Sequence, residues 1–238
     1  MTFSSCLTEQ STTLVLDSSI IINLLATGHA EAILQELPGL TCVTETVVRE
    51  IKGGAENGHG ESTKLLELID RRKLNVVELD EEALESFIAI VSGSTSDSLG
   101  DGEAATLAFA NRNGLVAAID EKKARRMAGE RFGSLTIATT VDILAYAPVV
   151  QMLGEERLSK TVLDALRLAR MQVWEPHFDW VVEQIGLANV PLCPSLRRLA
   201  KRIPPALNWV RSQAKPLAFC RLTSQDSPGF LWGKSWGK

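Results

Sequence analysis

The sequence predicts an α/β fold, a three-layer α/β/α sandwich in which helices cover both faces of a central parallel sheet. Short apolar runs alternate along the chain with longer segments that have the 3.6-residue period of an amphipathic helix. The clearest runs, at 14–16 and 115–119, carry no polar residue on alternate positions, so neither face of their sheet is expected to contact water. This alternation stops near residue 186, and a basic segment follows.

The first half of the chain contains three apolar runs that are expected to be strands, at 14–16, 40–43 and 76–77. Segments with a helical period follow them, at 20–25, 44–51, 62–71 and 81–91. Thr44 is suited to cap the second of these helices, and Gly53 and Gly54 can end it. Strands that alternate with helices in this way are typical of a parallel sheet.

The second half continues the alternation. Strands are expected at 115–119 and 135–137, and helices at 102–111, 122–131, 141–146 and 158–171. Gly114 can end the first of these helices, and the Ser/Gly-rich segment 92–100 precedes that helix as a loop. The two halves together predict one domain over residues 1–186.

Residues 187–238 are expected to form a basic tail that is separate from this domain and poorly ordered. Six of the nine prolines lie beyond residue 190, and no helical or strand period is evident there. Residues 190–238 hold 9 of the 25 Lys and Arg and one of the 29 acids, a balance of +8 against −12 for the rest of the chain. A basic tail predicts a polyanionic or acidic partner, and an acidic body predicts bound cations or basic partners.

The composition disfavours several classes of protein. Hydrophobic residues make up 45% and charged residues 23% of the 238, as in globular rather than disordered or fibrous proteins. The longest charge-free stretches, such as 18–30, are shorter than the roughly 20 residues that cross a bilayer. The N-terminus lacks the basic and apolar regions of a secretory signal, and the four scattered cysteines lack the spacing of a zinc or disulfide framework. We therefore expect a cytoplasmic protein without membrane contact.

Acidic residues are grouped around the expected carboxyl ends of the strands. Asp17 and Asp120 each follow an apolar strand, and three further acids lie on neighbouring helices, namely Glu50, Asp101 and Glu103. Ligands of parallel α/β sheets bind at the carboxyl ends of the strands. Because clustered carboxylates repel one another unless a cation neutralises them, the five acids predict a divalent metal. Their hard oxygen ligands favour Mg²⁺ or Mn²⁺ over zinc.

Each acid also has a structural explanation. Asp17 and Asp101 could cap helices through a side-chain oxygen. Glu103 could complement a helix dipole, and Glu50 could be an exposed helix carboxylate. Asp120, at the end of a strand, has few such explanations. The group is therefore stronger support for a metal site than any one member.

Other chemistries find little support in the sequence. The chain has three histidines, no H-E-x-x-H motif and no base paired to a serine or cysteine, which disfavours zinc hydrolases and catalytic triads. The glycine-rich motifs that bind dinucleotides or nucleoside triphosphates are also absent. His177 is expected to pack or hydrogen-bond rather than to catalyse.

Four sequence runs, in this order and at these spacings, carry a resemblance to a known family: LVLDSSIIINLLATG, VTETVVREI, LGDGEAATLAFA and LVAAIDEKKARRMA. Over residues 12–186 the chain resembles PIN-domain nucleases, in particular the prokaryotic branch related to the VapC toxins. The resemblance matches acids of this family to Asp17, Glu50 and Asp120. Their third acid falls at Asp101 or Glu103, and Glu103 is preferred because it lies in the Gly-Glu-Ala step of this branch.

The resemblance implies a Mg²⁺- or Mn²⁺-dependent endoribonuclease that hydrolyses RNA phosphodiester bonds, the toxin of a toxin and antitoxin pair. Its implied partners are RNA and a cognate antitoxin protein, and a homodimer is a further expectation. The implied catalytic residues are Asp17, Glu50, Glu103 and Asp120, and the implied metal ligands are these four with Asp101. Glu121 is a candidate accessory acid.

The resemblance also suggests residues that would bind the substrate. Ser18 could hold a metal or phosphate through hydrogen bonds. The basic run after Asp120 supplies candidate phosphate contacts, namely Lys122, Lys123, Arg125 and Arg126, of which Lys122, Lys123 and Arg126 are preferred. A solvated helix face with ordinary salt bridges is the alternative explanation for these basic residues.

Two other functions fit the same residues. A catalytically silent PIN-like module would keep the fold and bind RNA or a protein without cleaving it. A metal-dependent hydrolase of another phosphoester, such as a flap-type DNA nuclease, would use the same acids on a different substrate.

Overall fold

The computed structural model describes residues 3–10, 13–54, 60–92 and 98–202. Its centre is one sheet of five parallel strands in the order β3-β2-β1-β4-β5. The strands are β1 (Leu14–Leu16), β2 (Thr41–Thr44), β3 (Asn75–Val77), β4 (Val116–Ala118) and β5 (Ile137–Ala138). The α-helices are α1 (Ser18–Ala26), α2 (Ala30–Glu36), α3 (Glu45–Gly54), α4 (Glu61–Asp70), α5 (Glu81–Val91), α6 (Asp101–Asn113), α7 (Lys122–Arg131), α8 (Thr140–Leu144), α9 (Ala147–Leu168) and α10 (Phe178–Ile185).

Alternate residues of the central strands pack into two hydrophobic cores, one on each face of the sheet. Leu14 and Leu16 of β1 belong to the larger core, which includes residues of α1, α9 and α10, whereas Val15 packs with residues of α6 and α7. All three side chains are fully buried. A strand covered on both faces has no position where a polar side chain could reach water, which explains its apolar sequence. The predicted three-layer α/β/α fold is confirmed.

Several elements differ from the sequence-based expectation. Helix α2 was not expected, and β5 begins at Ile137 because the Leu135 N–H turns back to the Phe132 carbonyl, at 2.8 Å. Helix α9 begins well before residue 158 and is broken at Gly154, whose φ of 67° suits glycine. Residues 55–59 and most of the expected loop at 92–100, residues 93–97, lie outside the described residues.

The chain after residue 186, expected to be a separate tail, packs against the larger core as far as Arg202. It forms three short 3₁₀ helices, Leu187–Leu192, Pro194–Leu196 and Leu199–Arg202. Four of its side chains are buried in that core, Val190, Cys193, Leu196 and Leu199. They recur at intervals of three, and together they cover this side of the core. The boundary expected at 186 therefore falls inside the packed part of the chain, and residues 203–238 lie outside the described residues.

No helix in the four described ranges combines the length and apolar character that a bilayer span needs.

The packing of this C-terminal segment predicts that Leu196→Ala destabilises the fold. Leu196 is fully buried, so the substitution leaves a cavity and should lower the free energy of unfolding by about 2–5 kcal/mol. Leu192→Ala is the matched control, because Leu192 lies in the same segment and is 51% exposed. Its effect should stay within about 0.5 kcal/mol. Denaturant unfolding of the two variants measures both values, and equal small effects would mean that the segment does not contribute to the core.

Candidate active site

The candidate site lies where the strand order changes direction. Strands β2 and β3 lie to one side of β1, and β4 and β5 lie to the other. Leu16 at the end of β1 pairs with Ala118 at the end of β4, and the Asp17 N–H still donates to the Ala118 carbonyl, at 3.1 Å. Asp17 and Asp120 therefore leave the sheet side by side, at the kind of crevice where ligands of open α/β sheets bind.

A cavity of about 350 Å³ lies at this edge of the sheet. Its walls include six residues that the sequence analysis selected, namely Asp17, Ser18, Glu50, Glu103, Asp120 and Glu121. They also include four polar residues that it did not select, Ser19, Asn23, Arg170 and Gln172. Five carboxylates from different elements thus surround one space, which we call the carboxylate cavity.

Asp17 caps helix α1 and keeps one oxygen unused. Its Oδ2 accepts hydrogen bonds from the Ser19 backbone N–H at 3.2 Å and from the Ser19 hydroxyl at 2.8 Å. Its Oδ1 is buried without a hydrogen-bond partner among the described residues. Burial raises the pKa of Asp17, and the polar groups of Ser19 and Ser18 oppose that rise. Capping therefore explains one oxygen of this carboxylate but leaves the other unexplained.

Asp120 is fixed by two side chains that sequence analysis missed. Thr140 donates to Asp120 through its backbone N–H at 2.9 Å and its hydroxyl at 2.6 Å. Asn23 donates its amide to Asp120 at 2.8 Å and to the Thr140 hydroxyl at 3.0 Å. Burial raises the Asp120 pKa to about 6, although the hydrogen bonds from Thr140 counteract it. The sequence contained a signal for each residue. Asn23 is a single amide within the otherwise apolar run of α1, and Thr140 lies two residues after β5, just as Asp120 lies two residues after β4.

Glu50 reaches the cavity through a close approach between two helices. A Cβ atom on Gly102 would lie inside contact distance of Glu50 Oε2, and 3.3 Å from both Glu50 Cδ and Val47 Cγ2. Any side chain at position 102 would thus occupy the place of the Glu50 carboxylate. Burial raises the pKa of Glu50, as does the negative charge of Asp17. The glycine in the GDGEA run therefore makes room for an acid from helix α3.

Glu103 lines the cavity, whereas Asp101 is exposed and does not. Burial and then the Asp17 charge raise the Glu103 pKa to about 7. Glu103 Oε2 also accepts a hydrogen bond from the Gly100 N–H at 3.2 Å. This acid therefore also stabilises the start of helix α6, so it has a structural role as well. Of the two candidates for the third acid, Glu103 is the one on the cavity wall.

The basic residues of α7 do not line the carboxylate cavity. Lys122 is exposed, Lys123 donates to the Ser98 carbonyl, and Arg126 pairs with Glu130 at 3.9 Å. Arg125 lies over the Trp174 ring, and burial lowers its pKa to about 9. The expected phosphate contacts of Lys122, Lys123 and Arg126 thus have no support from the cavity geometry.

The cavity walls suit a hard divalent cation held partly through water. As the side chains stand, no three acidic, histidine or cysteine side chains in the described ranges are placed to hold one ion together. Mg²⁺, however, usually keeps several waters and takes one or two carboxylates from the protein. The unused, buried Oδ1 of Asp17 is such a ligand. Burial raises the pKa of all four acids, and the negative charge of Asp17 raises those of Glu50, Glu103 and Asp120 further.

These raised pKa values predict how the stability of the metal-free protein depends on pH. The pKa values of Asp120 and Glu103 rise from 3.8 and 4.5 to about 6 and about 7, so the folded state binds protons more tightly than the unfolded state. In EDTA the melting temperature should therefore fall as pH rises from about 4 to about 7, and then level off.

The same measurement on Asp17→Asn separates the site from the rest of the protein. The Asp17 charge raises the pKa values of Glu50, Glu103 and Asp120, so its removal should flatten the pH profile. Asp70→Asn, at an exposed carboxylate at the end of α4, should leave the profile unchanged. Equal profiles for Asp17→Asn and wild type would contradict this electrostatic coupling.

Comparisons with known proteins identify the family. No curated protein sequence matches the chain. Among solved structures, the crystal structure of VapBC2 from Rickettsia felis bound to a DNA fragment from their promoter is similar, with a TM-score of 0.39 and 10% identity over 53% of this chain and 98% of that chain. At this TM-score the likeness carries no conclusion about this chain. A family model for the PIN domain matches residues 13–186. Because the match spans more than half of the 238 residues, the chain belongs to the PIN-domain family.

Proposed function

We propose that this protein is a metal-dependent endoribonuclease that hydrolyses RNA phosphodiester bonds. The observation that carries the proposal is the unused buried Oδ1 of Asp17 at a cavity walled by carboxylates. Membership of the PIN-domain family supports nuclease chemistry, because PIN domains are generally nucleases. RNA as the substrate rests on the sequence resemblance alone.

Four acids would hold the metal, namely Asp17, Glu50, Glu103 and Asp120. Their oxygens favour Mg²⁺ or Mn²⁺. When bound, such an ion activates water for attack on phosphorus and offsets the charge that develops on the phosphate. Asp101 is a weaker candidate ligand, because it is exposed and away from the cavity wall.

The surrounding side chains keep the acids in place without neutralising them. Ser19 holds one oxygen of Asp17, and Thr140 with Asn23 holds Asp120. These donors are uncharged, and the ion pairs between described residues involve other acids, namely Glu31, Asp80, Glu82, Glu130 and Asp164. The negative charge of the group thus remains available to a cation.

The proposal includes a biological setting that the resemblance suggests. The protein would be the toxin of a toxin and antitoxin pair, located in the cytoplasm, and would bind a cognate antitoxin protein. A homodimer is the expected oligomeric state. The rival is a catalytically silent PIN-like module. One observation favours it: in the described ranges, no three potential ligand side chains lie close enough together to hold one metal ion.

Asp17→Asn tests the enzyme against the silent module. The substitution keeps the shape of the side chain and removes one anionic ligand, so RNA cleavage should fall by orders of magnitude with Mg²⁺ or Mn²⁺. The metal should raise the melting temperature of wild type, and do so less for Asp17→Asn, because a ligand of the folded state stabilises it by mass action.

Two controls accompany this assay. EDTA should abolish cleavage by wild type, and Asp70→Asn should cleave as wild type does. If purified, antitoxin-free wild type cuts no RNA and shows no thermal shift with either metal, the nuclease proposal is wrong and the binding-module function replaces it.

Gly102→Ala tests the position of Glu50. The new Cβ should displace the Glu50 carboxylate from the cavity, so cleavage and the metal-induced thermal shift should both decrease. Stability should change by less than about 1 kcal/mol, because the end of the flexible Glu50 side chain can move away and Val47 Cγ2, at 3.3 Å, must shift only slightly. The helix preference of alanine over glycine, about 1 kcal/mol, offsets this small cost.

Gly129→Ala is the matched control for this substitution. Gly129 is also helical, in α7, and an added Cβ would have nothing within 4 Å. This variant should gain about 0.5–1 kcal/mol in stability and keep full activity. Full activity in Gly102→Ala would mean that Glu50 does not act from its present position.

A further inference from the structure

A second cavity, of about 400 Å³, adjoins the carboxylate cavity. The two share five wall residues, Ser18, Ile22, Glu50, Ala169 and Arg170. The second cavity adds apolar surface from Ile51 and Leu168, and the side chain of Leu168 is 69% exposed. A continuous depression therefore runs from the carboxylates, past Arg170, to an open apolar wall.

Arg170 lies between the two cavities, and its own backbone has an unfavourable conformation. It follows Ala169, the last residue of the α9 cap, and has a φ of 58°. The Met171 N–H donates to the Ala165 carbonyl at 3.0 Å and closes the helix end around it. Glycine is the residue that usually takes a left-handed position after a helix, and other residues adopt it at a cost in free energy. An arginine here is therefore not explained by the fold of the turn.

The side chain of Arg170 is uncommitted. Arg170 is exposed, and it forms no ion pair or hydrogen bond with the described residues. Among the described residues that line the two cavities, it is the one basic residue. A guanidinium group binds phosphate through two parallel N–H bonds, and its fork of donors suits this geometry better than an ammonium group does.

We propose that Arg170 binds a backbone phosphate of the RNA next to the bond that is cleaved. The strand would pass over Arg170 from the carboxylate cavity into the second cavity, where Ile22, Ile51 and Leu168 offer apolar surface to a base. Glu50 and Glu61 also line the second cavity and repel phosphate there, which leaves Arg170 as the cationic contact. This inference rests on the proposed function, and it assigns phosphate binding to Arg170 in place of the α7 residues.

Arg170→Gly separates phosphate binding from stability. Glycine relieves the left-handed backbone, so the melting temperature should stay equal or rise. In the full-length protein with Mn²⁺, the KM for a short single-stranded RNA should nevertheless increase about tenfold, as expected for the loss of a hydrogen bond to a charged group. Each phosphate contact with a single strand contributes about 0.7 to the slope of log affinity against log salt concentration. That slope, measured for RNA binding in the cleavage-deficient Asp17→Asn background, should become shallower by about this amount.

Arg72→Gly is the matched control. Arg72 is the other non-glycine residue of the described part with a positive φ, 56°, and it precedes β3, at the opposite end of the sheet from the carboxylates. Arg72→Gly should show the same change in melting temperature as Arg170→Gly. Its KM and its salt slope should equal those of wild type. Arg170→Gln, which removes the charge and keeps the backbone strain, should reproduce the binding defect of Arg170→Gly without the gain in stability.

The outcomes distinguish this inference from the function on which it rests. If wild type cleaves RNA and both Arg170 variants match Arg72→Gly in KM and salt slope, Arg170 does not bind phosphate, while the nuclease function stands. If wild type neither binds nor cleaves RNA with either metal, both proposals fail. A raised KM with an unchanged salt slope would also overturn the inference, because it would assign Arg170 a structural role.

Discussion

Two carboxylates buried next to each other are the constraint on which the rest of the site depends. The pairing of β1 with β4 brings the ends of these strands together, so Asp17 and Asp120 leave the sheet at adjacent positions. Both are almost fully buried, and burial raises the pKa of each. Like charges at such a place cost folding free energy unless protons or a cation neutralise them. Their burial without a cation therefore lowers stability, and the proposed metal would offset this cost.

The neighbouring side chains orient these acids and do not neutralise them. Uncharged donors, the Ser19 hydroxyl and the Asn23 amide among them, hold one oxygen or more of each strand-end acid. The nearby Arg125 is held over the Trp174 ring instead, where burial lowers its pKa. Arg125 forms no ion pair with these acids, although the negative charge of Asp120 acts on it and partly offsets the effect of burial on its pKa.

The C-terminal part of the domain completes the cavity walls. Helix α9 ends beside the carboxylates, and the turn that follows it contributes Arg170 and Gln172, the latter bonded to Glu121 at 2.9 Å. The 3₁₀ segment that ends at Arg202 packs against the same core as α9. Residues far along the sequence thus provide the positive charge and polar groups at the edge of the carboxylate cavity, which the strand-end acids lack.

The sequence by itself determined the parallel α/β fold, because strands covered on both faces must be apolar at every position, as Leu14 to Leu16 are. It also determined the acids that line the cavity, because the carboxyl ends of parallel strands meet at one edge. Only the tertiary structure showed that Glu103, and not Asp101, lies on the cavity wall. Both residues lie in the first turn of the same helix, and residues two positions apart point to different faces of a helix. It alone brought Asn23, Thr140 and Arg170 to the acids. Thr140 and Asn23 lie 20 and 97 positions from Asp120, and contacts at such separations leave no local pattern in the sequence. Tertiary packing likewise decided the burial of Val190, Cys193 and Leu196. Their three-residue spacing matches neither an α-helix nor a strand, so the sequence alone did not predict that this segment packs against the core.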